Sequence, residues 1–79
     1  MENPKPSIFD KFKPIPQGED LPQNERDLLR NGYVCVRTYP AESPFIENLT
    51  TERQEIIDEG CQTYIAEEPN RYKKLYIKE

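Results

Sequence analysis

Residues 24–40, NERDLLRNGYVCVRTYP, decide how the rest of this chain is interpreted. A charged run with two leucines ends at Gly32, and an apolar segment follows directly. Glycine commonly follows the last residues of a helix because it adopts the left-handed backbone conformation without strain. The order therefore predicts a short helix over residues 23–30, with Asn24 as its N-cap, and a strand over residues 33–39.

A second stretch, ERQEIIDEG at residues 52–60, resembles the first, ERDLLRNG at residues 25–32, with one residue inserted. Each stretch is followed by residues with strand propensity that end at a proline. The resemblance predicts a second helix that begins at Thr50-Thr51, where a capping box starts, and ends at Gly60.

Two strands complete the predicted fold. Residues 61–66 follow the second glycine, and residues 71–78 alternate in polarity after a turn at Pro69-Asn70. These strands are expected to pair as a hairpin. The fold class is then a small single α+β domain in the order tail-α-β-α-β-β, with a three-stranded sheet. An alternative remains, because apolar spacing also allows one helix over residues 51–67, which would make the C-terminal half mostly helical.

The N-terminal part, residues 1–22, is predicted to be an extended, proline-rich tail outside the domain at residues 23–79. Five of the eight prolines lie there, and proline removes amide donors and favours extended backbone. Between its prolines the tail also holds an isoleucine and two of the three phenylalanines of the chain, which a fully solvated segment does not need. They predict a docking segment that is buried in a groove of this domain or of a partner, and its residues are Ile8, Phe9 and Phe12.

Composition limits the size of the core and the class of partner. The chain has 79 residues, of which 34% are hydrophobic and 33% charged. One marginal core is expected, which a protein partner or a homo-oligomer would help to complete. The net charge of −4 argues against general binding to nucleic acid, whose phosphates need cationic groups. With no membrane-length apolar run and no secretory leader pattern, we expect a cytoplasmic protein with no membrane partner.

Residue types that carry catalysis or bind metals are scarce. The chain has no histidine, its three glycines are isolated, and Cys35 and Cys61 have no CxxC partner. We therefore predict that the protein is not an enzyme and has no metal site and no cofactor. The two cysteines are expected to be small buried apolar residues, whose thiols come close only if their strands are neighbours.

The five tyrosines are the main candidate binding surface. In the three-stranded fold they share one strand parity, opposite to the apolar residues of the core. Tyrosine is enriched at interaction hot spots, although it is also common on half-exposed strand faces. The predicted tyrosine face consists of Tyr33, Tyr39, Tyr64, Tyr72 and Tyr76. The predicted core face consists of Val34, Val36, Cys61, Ile65, Leu75 and Ile77.

A group of carboxylates before and along the second helix is the other candidate surface. Its members are Glu47, Glu52, Glu55, Asp58 and Glu59. A solvated helix face is the simplest interpretation, and imitation of the charge of a nucleic acid is the functional one.

Together these features predict a small acidic protein-binding module, such as a regulator, an inhibitor or an accessory subunit, that occupies a partner surface. The alternative is a nucleic-acid-related role. It would involve either stacking of single strands on the tyrosine face beside the basic C-terminal strand, or charge mimicry.

Overall fold

The computed structural model describes residues 8–18 and 20–79 and has the predicted α+β architecture. The elements are α1 (Ile8–Lys11), α2 (Gln23–Arg30), β1 (Val34–Pro40), α3 (Asn48–Asp58), β2 (Gln62–Glu68) and β3 (Tyr72–Lys78). The first seven residues of the predicted tail, and Glu19, lie outside the described residues. The predicted element order is confirmed, with the short α1 added inside the tail. The alternative of one helix over residues 51–67 is wrong because α3 ends before β2 begins.

A glycine ends α2 as the sequence predicts. Gly32 has a φ of +92°, its N–H donates to the carbonyl of Leu29, and the N–H of Tyr33 donates to the carbonyl of Leu28. These two bonds define a Schellman motif, and Tyr33 and Leu28 also pack in the same apolar cluster. The N-cap prediction for Asn24 is wrong, because α2 begins at the residue before it and no side chain caps the helix.

The end of α3 repeats this geometry. Gly60 has a φ of +85°, its N–H donates to Ile57, and the N–H of Cys61 donates to Ile56. Cys61 and Ile56 then meet in the core, as this motif favours. The predicted capping box at Thr51 is wrong, because α3 begins three residues earlier and no side-chain bond caps it.

The three strands form an antiparallel sheet with β3 in the middle, in the order β1-β3-β2. The predicted hairpin joins β2 to β3, with Glu68 paired to Tyr72. Its turn is closed by the N–H of Arg71 on the carbonyl of Glu68, and Asn70 adopts a φ of 64°, which asparagine tolerates better than most residues.

The sheet has two covered faces. The predicted core face is confirmed: its six residues are buried, or packed against the core, on the face that α3 covers. Leu49 and Ile56 of α3 join them, and so do Ile8 and Phe12 of the tail. The other face holds a smaller cluster of Cys35, Ala66 and Tyr76, against which Leu28 of α2 and Tyr33 pack. A second apolar face was not predicted from the sequence.

The tail follows the sheet around the outer edge of β1. On the α3 face, Ile8 and Phe12 are buried, at 8% and 2% exposed. At the edge, the N–H of Ile15 donates to the carbonyl of Cys35 at 2.7 Å. On the α2 face, the side chain of Gln17 accepts a hydrogen bond from Lys74 at 2.9 Å. This path brings the chain from one face of the sheet to the other before α2 begins.

Candidate interaction surface

The tyrosines do not form one open face. Strand pairing puts Tyr64, Tyr72 and Tyr76 on the α2 face, where Tyr33 also packs. The predicted placement of Tyr39 on this face is wrong, because a bulge between Cys35 and Arg37 changes the parity of β1. Tyr39 therefore packs against the core on the α3 face. The pattern of side chains along β1 carries no signal for this extra residue.

A buried carboxylate occupies the centre of the tyrosine face. Glu25 of α2 is 1% exposed. Its Oε1 accepts hydrogen bonds from the ammonium of Lys74 at 2.9 Å and from the hydroxyl of Tyr76 at 2.8 Å, and its Oε2 accepts one from the hydroxyl of Tyr72 at 2.6 Å. The ammonium of Lys74 also lies 4.5 Å from the centre of the Tyr72 ring. We call Glu25, Tyr72, Lys74 and Tyr76 the Glu25 cluster.

The pKa values of the Glu25 cluster follow from these bonds. Burial favours the protonated form of Glu25, but the hydrogen bonds from Tyr72, Lys74 and Tyr76 outweigh it, so the pKa lies below its ordinary value. The bond to Glu25 and burial raise the pKa of Tyr72, and burial and Glu25 raise that of Tyr76. All three groups are held in their usual ionisation states at neutral pH.

The Glu25 cluster has a structural role. No buried side-chain nitrogen or oxygen among the described residues lacks a hydrogen-bond partner. Both carboxylate oxygens of Glu25 accept hydrogen bonds from the sheet, and these bonds fix α2 to it. Sequence reasoning did not single out Glu25 or Lys74, because a glutamate in the first turn of a helix and a lysine on a terminal strand are typical surface residues.

The remaining predicted site residues are distributed over the molecule. Of the docking segment, Ile8 and Phe12 are buried in the core of this chain and Phe9 packs against it. Of the acidic surface, Glu52 accepts bonds from Arg37 and Tyr39. Burial and the bond to Glu52 raise the pKa of Tyr39.

The other carboxylates of the predicted acidic surface are more exposed to solvent than Glu52. Glu55 pairs with Lys11 at 3.1 Å, and Asp58 accepts a bond from Gln54 at 2.9 Å. Glu47 and Glu59 are exposed. A continuous row of uncompensated carboxylates is therefore not present along α3.

The two edges of the sheet differ in how they are protected. Edge strands expose unpaired backbone groups, which proteins normally protect with bulges, prolines, charged side chains or covering segments. The β1 edge has a bulge, ends at Pro40 and is met by the tail at Ile15. Among the described residues, β2 pairs with β3 and with no other segment. Residues 62–66, QTYIA, contain no proline, charged residue or bulge, whereas the last two residues of β2, Glu67 and Glu68, are charged.

Partly exposed apolar groups flank the β2 edge on both faces. On the α2 face, Tyr64 is 46% exposed. On the α3 face, Arg53 donates to the hydroxyl of Thr63 at 3.3 Å, and Ile57, one turn further along the same side of α3, is 45% exposed. We call β2 with Arg53, Ile57 and Tyr64 the β2 edge surface. Of these residues, only Tyr64 was predicted as a binding residue.

The two cysteines are not neighbours. Cys35 is buried on the α2 face, and Cys61 is half-buried against the core on the α3 face. β3 separates the strands that they belong to or precede. Burial raises the pKa of Cys35, which makes its thiol less reactive.

Two other classes of feature, a metal site and a membrane-spanning helix, are absent from the described residues. Within residues 8–18 and 20–79, no three side chains of the metal-binding types come together as a ligand set. In the same residues, no helix has the length and apolar character needed to cross a bilayer. No protein family, curated protein or solved structure matches this chain.

Proposed function

We propose that this chain is a non-enzymatic protein-binding module, acting as a regulator, an inhibitor or an accessory subunit. It binds by accepting an extended strand of its partner at the β2 edge surface. In this mode the backbone of the edge supplies hydrogen bonds, and alternate side chains supply specificity.

The observation that carries the proposal is the contrast between the two edges. The β1 edge has a bulge, a proline and a covering segment, whereas the outer side of β2 has none of these among the described residues. Residues 62–66 of β2 lack these protections, and an open stretch of edge with an exposed tyrosine at its centre has both elements of a strand-accepting site.

The tyrosine face supports this mode better than a nucleic-acid platform. Tyr76 is fully buried, and both Tyr72 and Tyr76 donate their hydroxyls to Glu25. A platform for bases needs accessible ring faces. Charge mimicry has less support than protein binding for a similar reason, because Glu52 and Glu55 are already paired with cations of this chain.

The test is selection of extended peptides from a displayed random library on the immobilised full chain. We expect enriched peptides with apolar residues at every second position, which is the period of a strand. Their binding should be lost on Tyr64→Lys, because lysine on an edge strand opposes strand addition.

The matched control is Phe45→Lys, which adds the same charge at an aromatic residue that is 63% exposed. Phe45 lies on the loop that leaves β1, the opposite edge strand. Two results would contradict the use of the β2 edge surface. One is that the peptides bind Tyr64→Lys with the same affinity as the original chain. The other is that Phe45→Lys reduces their affinity as much as Tyr64→Lys does.

A further inference from the structure

Resting on the proposed function, we propose that the strand accepted at the β2 edge surface is the β2 strand of a second copy of this chain. The two strands run antiparallel about a two-fold axis at Ile65, so that both three-stranded sheets join into one continuous sheet. An interface of this kind is isologous, and the same patch must therefore be complementary to itself.

The sequence of β2 is self-complementary in this register. With Ile65 opposite Ile65, Tyr64 lies opposite Ala66, which places a large side chain beside a small one. Thr63 lies opposite Glu67, and Gln62 lies opposite Glu68. Each carboxylate thus faces a neutral hydrogen-bonding side chain, and no like charges are paired directly, which would be destabilising.

A charge pair across the interface adds to this complementarity. Arg53 reaches from α3 to Thr63 on the α3 face, and antiparallel pairing brings Glu67 of the second copy to the same face, opposite Thr63. Within the described residues, neither Arg53 nor Glu67 has an ion pair in its own chain. The two-fold axis repeats the contact, so each dimer contains two Arg53–Glu67 pairs.

Neighbouring registers are less favourable. An axis at Tyr64 pairs Thr63 with Ile65 and leaves Glu67 beyond the paired segment. An axis at Ala66 places Glu67 directly opposite Ile65. Each shift separates Arg53 from Glu67, so the charges select the register about Ile65.

The net charge of the chain opposes dimer formation, but the repulsion between two copies acts only over a short distance. Each copy has a net charge of −4. At physiological ionic strength the Debye length is about 8 Å, so distant charges are screened while the close Arg53–Glu67 pairs retain most of their attraction. The local pairing therefore decides the outcome at that ionic strength.

The experiment is sedimentation equilibrium of the full chain at physiological ionic strength, up to about 1 mM protein, where even weak dimers are populated. We expect a monomer–dimer equilibrium. Arg53→Glu and Glu67→Arg should each weaken the dimer about tenfold, because two pairs are replaced by like charges. The double variant Arg53→Glu, Glu67→Arg should restore it, since the pair is reversed in polarity. Circular dichroism verifies that each variant is folded.

Matched controls are Arg30→Glu and Glu42→Arg, which make the same charge changes at exposed residues away from β2. They should leave the dimer unchanged. A chain that stays monomeric, or a dimer that the charge swap does not restore, would overturn the second-copy assignment. If the chain is monomeric and selected peptides still lose binding on Tyr64→Lys, the proposed function stands and the accepted strand belongs to a different protein.

Discussion

At the scale of single residues, the most informative feature is Glu25. A buried carboxylate normally destabilises a small domain unless its charge and its hydrogen-bonding capacity are both satisfied. Here one lysine supplies the charge and two tyrosines complete the hydrogen bonds. Leu28 is the residue of α2 that packs against the apolar cluster on this face, so α2 has little apolar contact there. The Glu25 cluster therefore contributes much of the free energy that holds this helix on the sheet.

Replacement of Glu25 should therefore destabilise the fold strongly. Glu25→Ala leaves the ammonium of Lys74 buried without its counter-charge, and we expect a loss of about 3–5 kcal/mol in the free energy of unfolding. Urea denaturation measures this loss. The double variant Glu25→Leu, Lys74→Met removes both charges and should be more stable than Glu25→Ala alone. Equal loss in the two variants would show that the charge of Lys74 is not what Glu25 balances.

The same residue predicts a dependence of stability on pH. The folded pKa of Glu25 lies below its ordinary value of 4.5, so its stabilising contribution is present above pH 4.5 and is lost as the pH falls through the folded pKa. Glu25→Gln cannot titrate. We therefore expect the difference in unfolding free energy between the original chain and Glu25→Gln to shrink as the pH falls below 4.5. Urea denaturation at a series of pH values measures it, and a constant difference would contradict the assignment.

At the scale of elements, both helix–glycine–strand units were predictable from sequence, because local hydrogen bonds define them. Gly32 and Gly60 end their helices in the same motif, with bonds that span only a few residues. The helix starts were not predictable from capping residues, since neither α2 nor α3 has a side-chain cap. The bulge in β1 also escaped prediction, because it depends on how β1 meets β3 rather than on the residue types of β1.

The candidate site was less predictable than the fold, for a related reason. Tyr64 was identified by residue type, but Arg53 and the open edge of β2 depend on strand order, which places β3 rather than β2 beside β1. Glu25 and Lys74 meet across 49 residues of sequence. No local pattern encodes such a contact, so it appears only when α2 is placed on the sheet.

The tail is the element whose role changes most between sequence and structure. Phe12 is 2% exposed and packs in the main core. We expect Phe12→Ala to lower the free energy of unfolding by about 3 kcal/mol or more, as for other buried phenylalanines. The matched control is Phe45→Ala, at a residue that is 63% exposed, which should change stability by less than about 0.5 kcal/mol. Thermal or urea denaturation compares them, and similar effects for both variants would show that the tail at Phe12 is not part of the core.

At the scale of the whole molecule, the sheet has one protected edge, a fully paired centre and one open edge. Amide hydrogen exchange distinguishes the three, because exchange requires an amide to leave its hydrogen bond. We expect the slowest exchange in β3, which pairs on both sides. In β2, alternate amides should exchange slowly through their bonds to β3, while those that point outward exchange quickly in dilute protein.

Protein concentration then tests how the open edge is used. If a second copy adds its β2, the outward amides of residues 62–68 should become protected as concentration rises, while those of β1 stay unchanged. Tyr64→Lys should abolish the concentration dependence and leave β3 protected, because the variant alters an exposed side chain and not the core. Protection of the outward β2 amides in samples that sedimentation shows to be monomeric would instead mean that the edge is already paired within a single chain. The β2 edge surface would then not be available to any partner strand.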